Sequence, residues 1–321
     1  MDTPPFTPPA FIVGVGRSGT TLLASILNRH PRVAVTSETH YFRLLGEAGG
    51  WEAVARAWPD SAVAFLRGLH QFHLLQMEPH AVVERVRQPS EAALFQALGD
   101  RYAEQAGKPL WIEKTPLHLR HLPRIRRLFP HARVLHILRD GRDVAASLCK
   151  VRWASDGYVQ NLHRWRTELA QAEPFLAQDP HTLTLRYEDL LAAPEATVAR
   201  ACEFLGVEFV PAMLVPDGSE WRLCGRDTRD KRNIALPLLS DNSGKWATAL
   251  DPALALGAQW LFRADLERWG YEVVSPPPAG RLPTPRSELL CDDPDHIAAL
   301  PLGDAFVAAA AARGLAIELT P

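Results

Sequence analysis

Apolar residues along this chain gather into short, nearly unbroken runs separated by longer amphipathic stretches. Residues 10–16 form a compact β-branched and aromatic run that ends in glycines, and Thr20 opens an apolar segment reaching Asn28. That order predicts a strand, a tight loop and a helix. Similar runs at residues 33–35, 110–112, 133–138 and 182–187 are separated by helix-like segments. Continuous apolar strands alternating with helices are the pattern of a parallel sheet covered on both faces, so the expected class is α/β, in three layers.

Between residues 51 and 106 the sheet pattern is absent and the periodicity is helical, which predicts an insertion that covers or shapes a substrate pocket. Trp51, Trp58, His70, His73 and His80 fall in this block. Proline crowds residues 276–285, the mark of an exit from a compact domain. The reading is therefore one domain over residues 1–275 and a tail over 276–321, with no internal repeat. The apolar stretch 305–317 is alanine-rich and interrupted by Arg313 and Gly314. It is too short for the roughly 20 residues that span a bilayer, and is expected to be a surface helix.

Composition narrows the function. An apolar fraction of 47%, a charged fraction of 22% and a formal net charge of −2 over 321 residues describe an ordinary globular protein. Such a balance gives no general attraction to nucleic acid or acidic membrane, so any anion site must be local. Cys149, Cys202, Cys224 and Cys291 show neither a C-x-x-C pair nor zinc-ligand spacing, which fits a reducing, cytoplasmic setting. The first ten residues are rich in proline and lack an apolar core ahead of a cleavage site, so no signal peptide is expected.

The loop Gly14-Val15-Gly16-Arg17-Ser18-Gly19-Thr20-Thr21 follows a predicted strand and opens a predicted helix. Backbone N–H groups and the helix dipole can converge there on a phosphate. Its spacing is that of a P-loop, yet Thr20 stands where the G-x-x-x-x-G-K-[ST] pattern has its lysine. The ammonium that reaches the β- and γ-phosphates of a triphosphate is thus missing. Arg17 restores one positive charge nearer the turn. Gly14, Gly16 and Gly19 also satisfy a dinucleotide fingerprint, but the donor-rich loop favours phosphate alone.

A second segment, residues 137–147, places Arg139 at a strand end and Ser147 two turns into the next helix. With both segments present and in order, the sequence resembles the sulfotransferase family over roughly residues 10–270. Its protein-tyrosine sulfotransferase-like and bacterial members show the nearest motifs. That resemblance implies a co-substrate, 3′-phosphoadenosine-5′-phosphosulfate, held at its 5′-phosphosulfate by Arg17, Ser18, Gly19, Thr20 and Thr21. It implies a 3′-phosphate clamp of Arg139 and Ser147. The Arg186-Tyr187-Glu188-Asp189-Leu190 segment is similar to one in which the tyrosine lies near the adenine. Ser243-Gly244-Lys245-Trp246 looks like a late loop that closes over the nucleotide, with Lys245 reaching a phosphate. Arg229, Lys231 and Arg232 make the approach to that loop basic, although the cytosolic members' R-K-G signature is not intact.

Sulfuryl transfer needs an in-line acceptor oxygen, a base for its proton and positive charge on the departing phosphate oxygen; it demands no metal. Arg17 and Lys114 are the candidates for that charge, and Pro116 should hold Thr115 extended. Glu38 is the candidate base, since its spacing from Arg17 is similar to that of the catalytic glutamate in the tyrosine-modifying members. His40 and His118 are the alternatives, because histidine is better matched to neutral pH unless burial raises the glutamate. His40 itself stands where those members carry an arginine. The acceptor, whether sugar, lipid, small metabolite or peptide, is left open, as are a P-loop kinase and a non-catalytic nucleotide-binding module.

Overall fold

The computed structural model describes residues 9–219, 223, 242–250 and 252–273, together with strands at 281–285 and 316–320. Two compact units divide the chain. The first comprises Met1–Gly14, Gly19–Leu138 and Pro174–Leu239, and the second Val15–Ser18, Arg139–Glu173 and Ser240–Pro321.

The first unit is built on five parallel strands, β1 (Ala10–Val13), β2 (Val33–Val35), β3 (Leu110–Lys114), β4 (Arg133–Leu138) and β5 (Thr182–Arg186). They pair in the order β2-β3-β1-β4-β5, with Ile12 opposite Lys114 on one side and Leu135 on the other. Every residue of the interior strands β1 and β3 is buried, as a covered parallel sheet requires, and so is every residue of the edge strand β2. The predicted P-loop-type α/β sheet is thus the observed one. Its strand runs agree with the pattern except at three ends: β1 stops at Val13, short of the glycines; β3 continues through Glu113 and Lys114; and β5 ends at Arg186, so that Tyr187 opens a helix.

The helices are α1 (Thr20–Asn28), α2 (Tyr41–Glu47), α3 (Trp51–Arg56), α4 (Asp60–Arg67), α5 (Pro79–Val83), α6 (Glu91–Gln105), α7 (Leu122–Leu128), α8 (Gly141–Leu148), α9 (Tyr158–Gln178), α10 (Tyr187–Ala192) and α11 (Pro194–Leu205). Side chains alternate across the sheet with period two. Ala10, Ile12, Ile112, Leu135 and Ile137 join Leu23, Ile26 and Leu27 of α1 and Val198, Ala201 and Leu205 of α11 in one core. Phe11 and Trp111 point the other way: Phe11 stacks on Phe95 of α6 at 5.6 Å between ring centroids, and Phe95 lies 5.6 Å from Trp111. The Trp111 indole N–H donates to Asp100 of α6 at 2.8 Å. The helical block at 51–106 therefore contributes its last helix to the second face of the sheet, with Ser90 capping that helix by accepting from the Ala93 amide.

Connections leave adjacent strands in opposite directions: β1 leads through α1 to β2 on one side, and the chain leaving β4 reaches β5 on the other. This is a topological switch point, where parallel sheets place ligands beyond the carboxyl ends of their strands. The chain leaving those two strands is the Val15–Ser18 loop and the segment starting at Arg139, and both belong to the second unit. That unit contains α8, most of α9 and a two-stranded parallel pair, β6 (Arg281–Pro285) with β7 (Ala316–Thr320). The helix expected at residues 305–317 is corrected at its end, where Ala316 and Ile317 lie in β7, paired with Arg281 and Leu282; residues 305–315 are outside the described ones. Among the described residues no helix is long and apolar enough to cross a membrane.

One core position has a pH signature. His136 is fully buried in β4, where its Nδ1 lies 3.1 Å from the hydroxyl of its register partner Thr184, and burial pushes its pKa down to about 3. Because the folded value lies below the unfolded one, the contribution to stability is whole above about pH 6.5 and is lost as pH falls toward 3. Urea denaturation at pH 7, 6 and 5 should show falling stability, with this residue contributing a slope of at most about 1.4 kcal/mol per pH unit. His136→Gln should flatten that slope; an unchanged slope would show that the ring titrates freely in the folded state.

Candidate active site

In the second unit the segment after β1 and the segment after β4 meet. Arg17, at a left-handed φ of 72°, turns its guanidinium so that Nε donates to the Ser147 hydroxyl at 3.1 Å, across 130 residues of sequence. Arg139 donates from Nη1 to the Arg17 carbonyl at 3.2 Å and from Nη2 to the Asn242 carbonyl at 3.0 Å. Two guanidinium groups and a hydroxyl thus form one hydrogen-bonded cluster, a donor set suited to phosphate oxygens. The Arg17 side chain, expected at the 5′ end of the nucleotide, is bonded to Ser147, the residue expected at the 3′ end.

Carboxylates around this cluster have separate tasks. Asp140 caps α8 by accepting from the Arg142 amide at 2.9 Å and pairs with the Arg142 guanidinium at 2.7 Å. Asp143 lies 3.6 Å from Arg139, beyond hydrogen-bond length. It is an ion-pair distance, and the Asp143 oxygens also accept from the amides of Gly244 at 2.7 Å and Trp246 at 2.9 Å. Those bonds, with Arg142 stacked 4.2 Å from the Trp246 ring centroid, fix the late loop against α8. Ser243 is half-buried and Lys245 exposed within it. Arg229, Lys231 and Arg232 lie outside the described residues.

Backbone geometry around the loop is tight in the first unit as well. A Cβ on Gly14 would lie 2.7 Å from the Ile137 carbonyl oxygen, and one on Gly19 would lie 2.4 Å from the Tyr187 ring. Gly19 has φ of +100° and precedes α1 without a side-chain cap, leaving the first-turn amides of that helix to other acceptors. Ser18 and Thr20 are buried and Thr21 half-buried. Tyr187, at the end of β5, is packed against Gly19.

The other candidate residues of the first unit follow the carboxyl ends of β2 and β3. Lys114, fully buried, places Nζ 2.7 Å from Glu38 Oε1, whose side chain is 14% exposed. Below this pair lies a polar network. Glu113 Oε1 accepts from the hydroxyls of Thr115 at 2.6 Å and Thr39 at 2.7 Å, while His118 Nδ1 stands 2.7 Å from Glu113 Oε2. Burial raises the Glu113 pKa, but the charge and hydrogen bond of His118 and the two hydroxyls outweigh it, so the carboxyl lies below its ordinary value. His121 is pushed down to about 3 by burial and by the positive charges of His118, Arg124, Arg120 and Arg43. Thr115 is extended, at φ −128° and ψ 113°, as Pro116 demands, and its hydroxyl accepts from the His40 amide at 3.2 Å.

Glu38 Oε2 also lies 3.6 Å from His40 Nε2. Of the three candidate bases, Glu38 and His40 are therefore neighbours, whereas His118 is 1% exposed and committed to Glu113. Sequence reasoning overlooked Glu113, whose acidic position inside an apolar strand was a usable signal.

A family model described as the sulfotransferase family matches residues 8–211. Protein-tyrosine sulfotransferase A of Caenorhabditis elegans is similar at 25% identity, covering 85% of this chain and 69% of its own. Protein-tyrosine sulfotransferase 2 of Gallus gallus is 25% identical over 87% of this chain and 73% of its own. Among solved structures, the sulfotransferase domain of an olefin synthase from Synechococcus PCC 7002 shares the fold, with TM-score 0.58 and 24% identity over 85% of this chain and 98% of that one.

The Gly19 geometry generates a stability test. In Gly19→Ala the left-handed backbone alone should cost about 1–3 kcal/mol, and the Tyr187 ring must also move. A lowered urea midpoint together with altered tyrosine fluorescence is expected, and wild-type stability in this variant would contradict the close approach.

Proposed function

The chain belongs to the sulfotransferase family, and we propose that it transfers a sulfuryl group from 3′-phosphoadenosine-5′-phosphosulfate to an acceptor hydroxyl, with Glu38 as the base. The observation that carries this reading is the junction of Arg17, Ser147 and Arg139, two family signatures joined by hydrogen bonds across more than a hundred residues. Glycines at 14 and 19, where a side chain would collide with Ile137 or Tyr187, keep the two ends of the loop packed closely against those residues. No ammonium lies in the loop itself, which disfavours a triphosphate and with it the kinase reading.

Arg139 and Ser147 hold the 3′-phosphate, and Arg17, Ser18, Gly19, Thr20 and Thr21 of the loop offer donors to the 5′ end, with Arg17 bonded to Ser147. Ser243 and Lys245 add the late loop, and Tyr187 the adenine side. The donor supplies the sulfuryl group: its sulfur gains a bond to the acceptor oxygen as the bond to the 5′-phosphate oxygen breaks. Glu38 takes the acceptor's proton, so that the sulfate ester and 3′,5′-diphosphoadenosine leave. Lys114 orients the carboxylate through Oε1 and supplies positive charge for the departing oxygen, a double task that a buried ammonium in a fixed position can serve. The catalytic domain spans residues 1–275, and the helical block at 51–106 shapes the acceptor side. Protein tyrosine, sugar, lipid and small metabolite all remain within the acceptor class defined by a hydroxyl.

Two variants test separate parts of this reading. Glu38→Ala should cut turnover about 10²- to 10⁴-fold with little change in nucleotide affinity; retained turnover in that variant and loss in His40→Ala would assign the base to His40. Arg139→Ala should weaken 3′,5′-diphosphoadenosine by about 1.5–3 kcal/mol, measured calorimetrically. Unaltered affinity would refute the clamp.

A further inference from the structure

Two histidines stand beside Glu38 without a role in the proposed sulfuryl transfer. Glu38, His40 and His70 each present a ligand atom, and these three atoms all lie within 4.8 Å of one another. His40 Nε2 is 3.6 Å from Glu38 Oε2, and the two imidazole rings meet edge to face with centroids 4.8 Å apart. His40 is 12% exposed, and its Nδ1 is buried without a hydrogen-bond partner among the described residues. His70 is exposed and lies in the helical block, more than thirty residues away from Glu38 in sequence.

The backbone holds this grouping together. The His70 amide donates to the Thr39 carbonyl at 3.1 Å. One residue on, the Gln71 carbonyl accepts from the Ser37 hydroxyl at 3.3 Å, and the Gln71 side-chain oxygen accepts from the Glu38 amide at 3.3 Å. On the opposite side Thr115 accepts from the amides of Thr39 and His40. Three ligands from two segments are therefore anchored by bonds that do not involve their own donor atoms.

We propose that Glu38, His40 and His70 form a binding site for a divalent transition-metal ion of the zinc class, and that occupation of it inhibits the enzyme. Two imidazoles and one carboxylate are the ligands of zinc, cobalt or nickel, whereas magnesium and calcium prefer all-oxygen sets. Tetrahedral coordination at about 2.0–2.1 Å places ligand atoms roughly 3.4 Å apart. The His40–Glu38 distance already approaches this, and a rotation of exposed His70 closes the remainder. Lys114 bonds Oε1, which leaves Oε2 on the side of the two histidines. An ion held there withdraws the Glu38 carboxylate from proton transfer, so the inhibitory half of the inference rests on Glu38 being the base.

The test uses full-length, metal-free protein. Cobalt(II) is titrated and followed by its visible ligand-field absorption, zinc(II) binding is measured by calorimetry, and turnover is assayed with and without zinc(II) and a chelator. Wild type should bind one ion with a four-coordinate cobalt spectrum and lose turnover reversibly. His70→Ala and His70→Gln should keep wild-type melting temperature and basal turnover, lose the cobalt band and require at least tenfold more zinc(II) for inhibition. Absence of binding in wild type, or equal binding in both His70 variants, overturns the site. Binding that depends on His70 but leaves turnover untouched supports the site and overturns the inhibition, and with it Glu38 as base. Inhibition of wild type and variants alike assigns the effect to another site and overturns the proposal.

Discussion

The structure depends on bringing fixed positive charge and hydrogen-bond donors to one place in a chain whose net charge is slightly negative. A phosphate ester cannot be drawn in by the field of such a protein as a whole, so the attraction has to be built locally. It is built here by two arginines whose guanidinium groups are held by a hydroxyl and by backbone carbonyls. Asp140 pairs with Arg142, while Asp143 forms an ion pair with Arg139 at 3.6 Å and accepts from the amides of the late loop, which ties that loop to the arginine.

The same logic operates at the ends of β2 and β3 with the opposite economy of charge. Lys114 is fully buried, and an uncompensated ammonium there would carry a desolvation penalty of several kcal/mol. Glu38 compensates it at 2.7 Å, while Glu113 beneath is compensated by His118, Thr39 and Thr115. Thr39 and Thr115 connect the two layers, because the same hydroxyl of Thr115 that donates to Glu113 accepts from the backbone of residues 39 and 40. The positions of Glu38 and Lys114 are thus set by a buried network of the residues next to each of them in sequence.

Much of this was legible in the sequence, and for identifiable reasons. β4 was readable because its apolar residues lie between Arg133 and Arg139, and the loop after β1 was readable because glycine spacing and hydroxyls are unusual before a helix. Arg139 and Ser147 were readable through their spacing on a strand end and helix. What was hidden depended on side-chain direction and on distant segments. No local pattern tells that Arg17 bends toward Ser147, or that His70, in a block with no sheet periodicity, returns to His40 through a single backbone bond to Thr39. β7 was hidden by its alanine-rich approach, whose helical propensity outweighs a short strand whose partner lies more than thirty residues upstream.

The central claim is that one ligand spans two phosphate-reading elements, each answering to a different phosphate of the same adenosine. Calorimetric titration of the wild-type protein with 3′,5′-diphosphoadenosine, 5′-AMP and magnesium-ATP tests it most directly. The account predicts that the diphosphate binds tightest, and that removing its 3′-phosphate costs about 1.5–3 kcal/mol, the worth of a charge-assisted hydrogen bond. Equal affinity for 5′-AMP and the diphosphate, or a preference for magnesium-ATP, would contradict it.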